Sequence, residues 1–133
     1  MIVADTNLIA NFYVTGQGTA HAEAVCRRDA VWVAPSRWRS ELRNVLVGLV
    51  RLRRLPVDAA WRIAGEAERS MAGHEYAVAS HDVLDLAVAS GCTAYDCEFV
   101  AVAVTLGVRL VTDDTRVLKA FPLVAIAPAA FVR

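Results

Sequence analysis

The sequence is poor in several features that define large classes of protein. Its three cysteines, Cys26, Cys92 and Cys97, form no CxxC pair, which argues against a disulfide framework or a zinc ribbon. Fourteen Lys and Arg balance fourteen Asp and Glu, so any nucleic-acid binding must come from local clusters of charge. The longest apolar runs are too short for a bilayer span, and no signal-like segment opens the chain. We therefore expect a cytoplasmic protein without a membrane segment.

What the sequence does contain indicates one α/β domain over residues 1–133. With 56% hydrophobic residues, the chain has enough apolar material for a core. Short runs rich in Val, Ile and Leu alternate with helix-like segments, a pattern typical of a mainly parallel sheet of about five strands. The predicted strands are Ile2 to Ala4, Val31 to Val33, Tyr76 to Ala79, Arg109 to Thr112 and Leu123 to Ile126. The predicted helices are Leu8 to Val14, Ala20 to Arg28, Arg37 to Arg54, Val57 to Ala72, His81 to Ser90 and Tyr95 to Leu106.

Residues with known capping preferences lie at the predicted helix ends. Ser36, Ser80 and Thr93 are suitable N-caps, and Gly91 and Gly107 are suitable C-terminal stops.

Four acids lie where predicted elements begin or end. Asp5 follows the first strand, Glu41 and Asp96 lie near the starts of helices, and Asp114 follows a late strand. In an open α/β sheet, ligands bind beyond the carboxyl ends of the strands, so these acids can converge. Carboxylates that face one pocket repel one another unless a cation neutralises them, and oxygen ligands suit Mg²⁺ or Mn²⁺. The pattern predicts a divalent-metal site.

Each acid also has a purely structural interpretation. Asp5 and Asp114 can cap the helices that follow them, for about 1 kcal/mol each. Thr93 and Asp96 have the three-residue spacing of a capping box. Glu41 falls at the edge of the apolar stripe of its helix, where an i, i+4 pair with Arg37 would hold it at the surface.

Taken together, four sequence blocks resemble the PIN-domain ribonucleases, and among them the VapC-like toxins of type II toxin–antitoxin pairs. The blocks are the N-terminal strand ending in DTN, SELRNVL, TAYDCEFVAVA and VTDD, and in that order they are distributed along nearly the whole chain. The resemblance implies a three-layer α/β/α sandwich and a Mg²⁺- or Mn²⁺-dependent endoribonuclease. It implies that water activated by the metal cleaves the RNA phosphodiester.

The resemblance also assigns residues. The metal-binding and catalytic acids carry over to Asp5, Glu41, Asp96 and Asp114, and the supporting polar positions to Asn7 and Thr112. Two acids depart from the family pattern. Asp113 lies beside Asp114, which fits the usual Thr-x-Asp spacing better, and Glu98 we interpret as a first-turn acid of its helix rather than a ligand.

Substrate contact is indicated by the basic character of the helix that carries Glu41. Arg37, Arg39 and Arg43 are candidate RNA contacts, since arginine binds phosphate in a bidentate manner. The structural alternative is a solvated helix face. The family also implies a homodimer and a cognate antitoxin that covers the acidic pocket and an adjacent apolar groove.

Two rival functions are open on the sequence. In a phosphatase or phosphotransfer domain of the haloacid dehalogenase-like kind, Asp5 would be the nucleophile. That group has a second Asp at the position of Asn7 and a late Lys, and Lys119 is the one lysine here. A non-catalytic binding module on a PIN-like scaffold would not need all four acids.

Overall fold

Residues 1–133 are all described in the computed structural model, as five strands and eight helices. The strands are β1 (Ile2–Ala4), β2 (Trp32–Pro35), β3 (Glu75–Tyr76), β4 (Leu110–Val111) and β5 (Ala125–Ile126). The helices are α1 (Thr6–Tyr13), α2 (Thr19–Arg28), α3 (Trp38–Arg51), α4 (Val57–Ser70), α5 (Ser80–Ser90), α6 (Ala94–Leu106), α7 (Thr115–Ala120) and α8 (Pro128–Phe131).

The five strands form one sheet in the order β3-β2-β1-β4-β5, and every neighbouring pair is parallel. In the register of the sheet, Val3 at the centre pairs with Val33 on one side and Leu110 on the other. Helix α6 contacts β1, β2 and β4 and packs on α5, while α1 contacts α2, α3 and α4. The fold is a three-layer α/β/α sandwich, as predicted. Its sheet is entirely parallel.

The helices that line the sheet are buried because their sequences are apolar on the side that meets it. The side chain of Trp38 is fully buried at the start of α3, together with Leu42, and α6 is buried along Phe99, Val100 and the residues that follow. No single helix is long and apolar enough to cross a membrane. Helices α5 and α6 pass that test only as a pair, by length and composition, and they are bent by 114° where they meet.

The predicted elements all occur, but several boundaries are wrong. Strand β2 ends at Pro35 rather than Val33, and β3 is a two-residue edge strand that pairs only with Ala34 and Pro35. Helix α3 ends at Arg51 because Arg53 takes a positive φ of 56°, which a helix cannot continue. The short helices α7 and α8 were absent from the predicted elements.

Some of the predicted helix caps occur and others do not. Thr93 caps α6, and Gly91 and Gly107 end α5 and α6 in the left-handed conformation, with φ of 74° and 65°. Ser36 and Ser80 are not N-caps. Helix α3 begins after Arg37 without a side-chain cap, and Ser80 is itself the first residue of α5.

Candidate active site

The order of the strands places the candidate site. From β1 the chain builds outwards through β2 to β3, and it then returns to the other side of β1 to form β4. The carboxyl ends of β1 and β4 therefore flank the point where the strand order reverses, which is where α/β sheets bind ligands. Asp5 follows β1 directly, and Thr112 and Asp114 follow β4.

Asp5 caps α1 and also lines the cleft of the candidate site. Its Oδ1 accepts from the backbone N–H of Thr6 at 2.7 Å, and its Oδ2 accepts from the Thr112 hydroxyl at 2.6 Å. Burial raises the pKa of Asp5, the two hydrogen bonds oppose that rise, and the charges of Asp96 and Asp114 add to it. The structural interpretation of Asp5 is thus correct in geometry, but a simple cap would not be surrounded by two further carboxylates.

Thr112 ties the two strand ends together. Besides donating to Asp5, its hydroxyl accepts from the backbone N–H of Asp114 at 3.0 Å, and the residue is 2% exposed. Asp114 in turn caps α7, since its Oδ1 accepts from the N–H groups of Arg116 and Val117 at 2.9 and 3.1 Å. Asp114 lines the cleft, whereas the neighbouring Asp113 is exposed and does not line it.

Asp96 completes the cleft from the first turn of α6. Its backbone N–H donates to the Thr93 hydroxyl at 3.0 Å, but its carboxylate makes no return bond, so only half of the predicted capping box forms. The free carboxylate lines a cleft with Asp5, Thr112 and Asp114. The cleft has a volume of about 10 Å³, which is roughly the room that one water molecule needs.

Glu41 lies at the edge of this group. Burial raises its pKa to about 7, with further contributions from the charges of Asp5, Asp96 and Glu98 and an opposing one from Arg37. The predicted pair with Arg37 forms, with Nε 3.3 Å from Oε1, but Glu41 is not held at the surface: its side chain is 33% exposed and Oε1 is buried without a hydrogen bond. Glu41 is electrostatically part of the acidic group.

Several predicted residues lie elsewhere or have other contacts. Asn7 is exposed and makes no hydrogen bond to the acids. Arg39 donates two hydrogen bonds of 2.8 Å to Glu75, so its guanidinium is engaged in an ion pair within the protein. Arg43 lies 3.5 Å from Glu68, with a side chain that is 60% exposed.

Glu98 also differs from its predicted role. It lies two residues after Asp96, just past the first turn of α6, and its Oε2 is 3.9 Å from Arg37 Nε, so it borders the site and is not a first-turn acid.

Two residues that the sequence patterns did not indicate contact residues of the site. Thr6 is buried beside Asp5, and its hydroxyl has no hydrogen-bond partner. Tyr95 lies at the rim, where its ring stacks with the Arg37 guanidinium at 3.5 Å. The resemblance assigned the supporting polar role to Asn7, but in the structure Asn7 is exposed and Thr6 is buried.

The donor set fits a hard divalent cation. In the rotamers described, no three Asp, Glu, His or Cys side chains form a group that could hold an ion, so binding requires the side chains to rotate. The ligands available for that are all oxygens: the free carboxylate of Asp96, the second oxygen of Asp114, and Glu41 Oε1, which accepts no hydrogen bond and has only the charge of Arg37 beside it. Burial is the main cause of the raised pKa values of Asp5 and Glu41, and positive charge in the cleft would relieve the repulsion between the acids that adds to it.

Comparisons with known proteins identify the fold and no more. No protein-family model matches the chain, and no curated protein matches its sequence. Among solved structures, the crystal structure of PAE2754 from Pyrobaculum aerophilum is similar, with a TM-score of 0.77 and 23% identity. The match covers 98% of this chain and 92% of that one.

Proposed function

We propose that this protein is a metal-dependent endoribonuclease of the PIN-domain family, and the VapC-like toxin of a toxin–antitoxin pair. One observation carries the proposal. Asp5, Asp96 and Asp114 line a single cleft at the point where the strand order reverses, and Glu41 borders it. These are the four acids that the resemblance assigns to the nuclease, and they come from four separate parts of the chain.

The contacts of each residue indicate its role in the proposed reaction. Asp96, Asp114 and Glu41 each have a carboxylate oxygen that accepts no hydrogen bond and could hold Mg²⁺ or Mn²⁺, whereas both oxygens of Asp5 accept hydrogen bonds. A bound cation supplies an acidic water and neutralises charge on the phosphate. Thr112 keeps Asp5 and Asp114 in register by bonding to both, and Glu41, with a pKa of about 7, releases a proton when a cation replaces it.

The contacts of Asp5 argue against the phosphotransfer alternative. A nucleophilic carboxylate needs an oxygen that faces the substrate, but both oxygens of Asp5 accept short hydrogen bonds, from Thr6 and Thr112. The exposed Asn7 takes no part in the cleft either. A hydrolytic reaction in which Asp96, Asp114 and Glu41 hold a cation needs no free oxygen on Asp5.

The test is cleavage of RNA by antitoxin-free protein. A pool of transfer and ribosomal RNA is incubated in Mn²⁺ or Mg²⁺ and in EDTA, and the ends of the products are mapped. Discrete cuts that need the cation and vanish in Asp96→Asn support the proposal. The matched control is Asp82→Asn, which changes an exposed acid in the first turn of α5 and should cut like wild type. An intact pool from folded, cation-bound wild type would contradict it.

The partners that the resemblance implies are part of the same proposal: an RNA substrate, a cognate antitoxin and a second copy of the chain in the cytoplasm. An apolar groove between α3 and α4 supports a protein partner, since it is lined by Leu46, Val47 and Val57 and by Trp61, which is 71% exposed. Replacing Trp61 by Ala should weaken binding of the antitoxin in titration calorimetry while RNA cleavage by the free protein persists.

A further inference from the structure

Arg37 stands apart from the other arginines of its segment because it faces the acidic group. Its Nε lies 3.3 Å from Glu41 Oε1 and 3.9 Å from Glu98 Oε2. Its Cζ lies 3.5 Å from the centre of the Tyr95 ring, a close cation–π stack. Three side chains from α3 and α6 thus hold one guanidinium at the rim of the cleft.

The contact between Arg37 and Glu41 is close but incomplete. Both Arg37 Nε and Glu41 Oε1 are buried, and neither makes a hydrogen bond, so the pair is held by charge without directional bonding. Buried polar atoms without a hydrogen bond are energetically costly. Either member of this pair can therefore change to a better partner more easily than Arg39 and Glu75, which are joined by two hydrogen bonds.

The remaining donors of Arg37 are unused. None of its guanidinium N–H groups donates a hydrogen bond within the protein, although its side chain is only 30% exposed. A planar fork of free N–H groups suits the bidentate binding of a phosphate. Tyr95, which is 57% exposed, keeps the guanidinium at the mouth of the cleft rather than in open solvent.

We propose that Arg37 is an internal counter-ion of Glu41 which a divalent cation displaces, and that the released guanidinium then binds a phosphate of the RNA next to the cleavage site. This inference rests on the proposed nuclease function. A guanidinium and a divalent cation repel each other, so both cannot remain beside one carboxylate at low cost. Arg37 is a positioning residue: it competes with the cation before loading and holds the substrate afterwards.

The test compares the full-length wild-type protein with Arg37→Gln and Arg37→Lys. The control is Arg27→Gln, an exposed arginine of α2 that has no ion pair. The first readout is the Kd for Mn²⁺ alone, by titration calorimetry without RNA. The second is the Kd for a labelled single-stranded RNA in Ca²⁺, measured over a range of salt, with gels to verify that the RNA stays intact. Circular dichroism verifies that each variant is folded.

The two readouts should move in opposite directions. Arg37→Gln should tighten Mn²⁺ binding by at least about threefold, because a competing positive charge is gone. It should weaken RNA binding by about tenfold, because one charge-assisted contact is lost. The slope of log affinity against log salt should fall by about 0.7, the value for one phosphate contact on a single strand. Arg37→Lys should bind Mn²⁺ like wild type but RNA weakly, since lysine lacks the planar fork.

The outcomes separate this inference from the function on which it rests. Unchanged or weaker Mn²⁺ binding in Arg37→Gln would overturn the counter-ion role. Tighter Mn²⁺ binding with RNA affinity equal to that of Arg27→Gln would overturn the phosphate contact. Wild-type protein that binds no Mn²⁺ would overturn both this inference and the proposed function. If the wild type binds Mn²⁺ and RNA but cleaves no RNA in Mn²⁺, the proposed nuclease function is wrong. The two binding constants of the Arg37 variants then still support or overturn the role of Arg37.

Discussion

Glu41 provides the sharpest test of the electrostatics, because its protonation is coupled to folding. Its pKa rises from 4.5 to about 7 in the folded protein, chiefly through burial and the charge of Asp5. An acid with a raised pKa stabilises the fold fully below its unfolded pKa, and that contribution is lost as the pH rises through the folded value. Metal-free protein should therefore lose stability between about pH 4.5 and pH 7.

Replacing Glu41 by Gln removes that dependence, because the amide has no charge to gain. The full rise in pKa corresponds to about 3.4 kcal/mol, at about 1.36 kcal/mol for each pH unit. The Glu41 side chain is 33% exposed, and solvent screening reduces the effect, so we expect about 1–2 kcal/mol. Relative to wild type, Glu41→Gln should be more stable by that amount at pH 8 than it is at pH 4.5.

The assay is urea unfolding in EDTA at several pH values from 4.5 to 8, for wild type and variant. The control is Glu66→Gln, which changes an exposed glutamate of α4 without an ion pair and should show no such trend. A difference between Glu41→Gln and wild type that stays constant across the pH range would refute the reasoning. It would mean that Glu41 is solvated like an ordinary surface acid and that the charges of Asp5 and Asp96 do not raise its pKa.

Three further predictions concern other parts of the site and the core. Thr112→Val should lower the free energy of unfolding by about 1–3 kcal/mol, because a buried hydroxyl with two hydrogen bonds is lost. NMR titration of this variant should show the pKa of Asp5 raised further, because one of those hydrogen bonds lowers it. Mn²⁺ should bind more weakly at pH 5.5 than at pH 7.5, because Glu41, with a pKa of about 7, must lose its proton to bind the cation; calorimetry in buffers of different ionisation enthalpy detects the released protons. Trp38→Ala should cost about 3–5 kcal/mol in urea unfolding, because Trp38 is fully buried; a smaller loss would indicate that the core collapses into the space.

Much of the site was predictable from the sequence because its signals are local. An apolar run that ends at an acid predicts both a buried strand and a carboxylate at its carboxyl end, as for β1 and Asp5. The Thr-x-Asp spacing selected Asp114, and in the structure the hydroxyl of Thr112 accepts a hydrogen bond from the backbone N–H of Asp114. The helix ends at Gly91 and Gly107 depend on one residue's backbone freedom, so they too were predictable.

What the sequence by itself determined is the set of acids, the alternation of strands and helices, and the parallel sheet that follows from it. Only the tertiary structure decided which charges meet. Glu75 comes to Arg39 and Tyr95 to Arg37 from elements far along the chain, so one arginine is locked in an ion pair and its neighbour faces the acids. The raised pKa of Glu41 likewise depends on Asp5 and Asp96 brought close by the sheet. Coulomb energy depends on the distance between charges in space, and desolvation depends on how deeply a group is buried. The periodicity of a sequence gives neither the distance nor the burial.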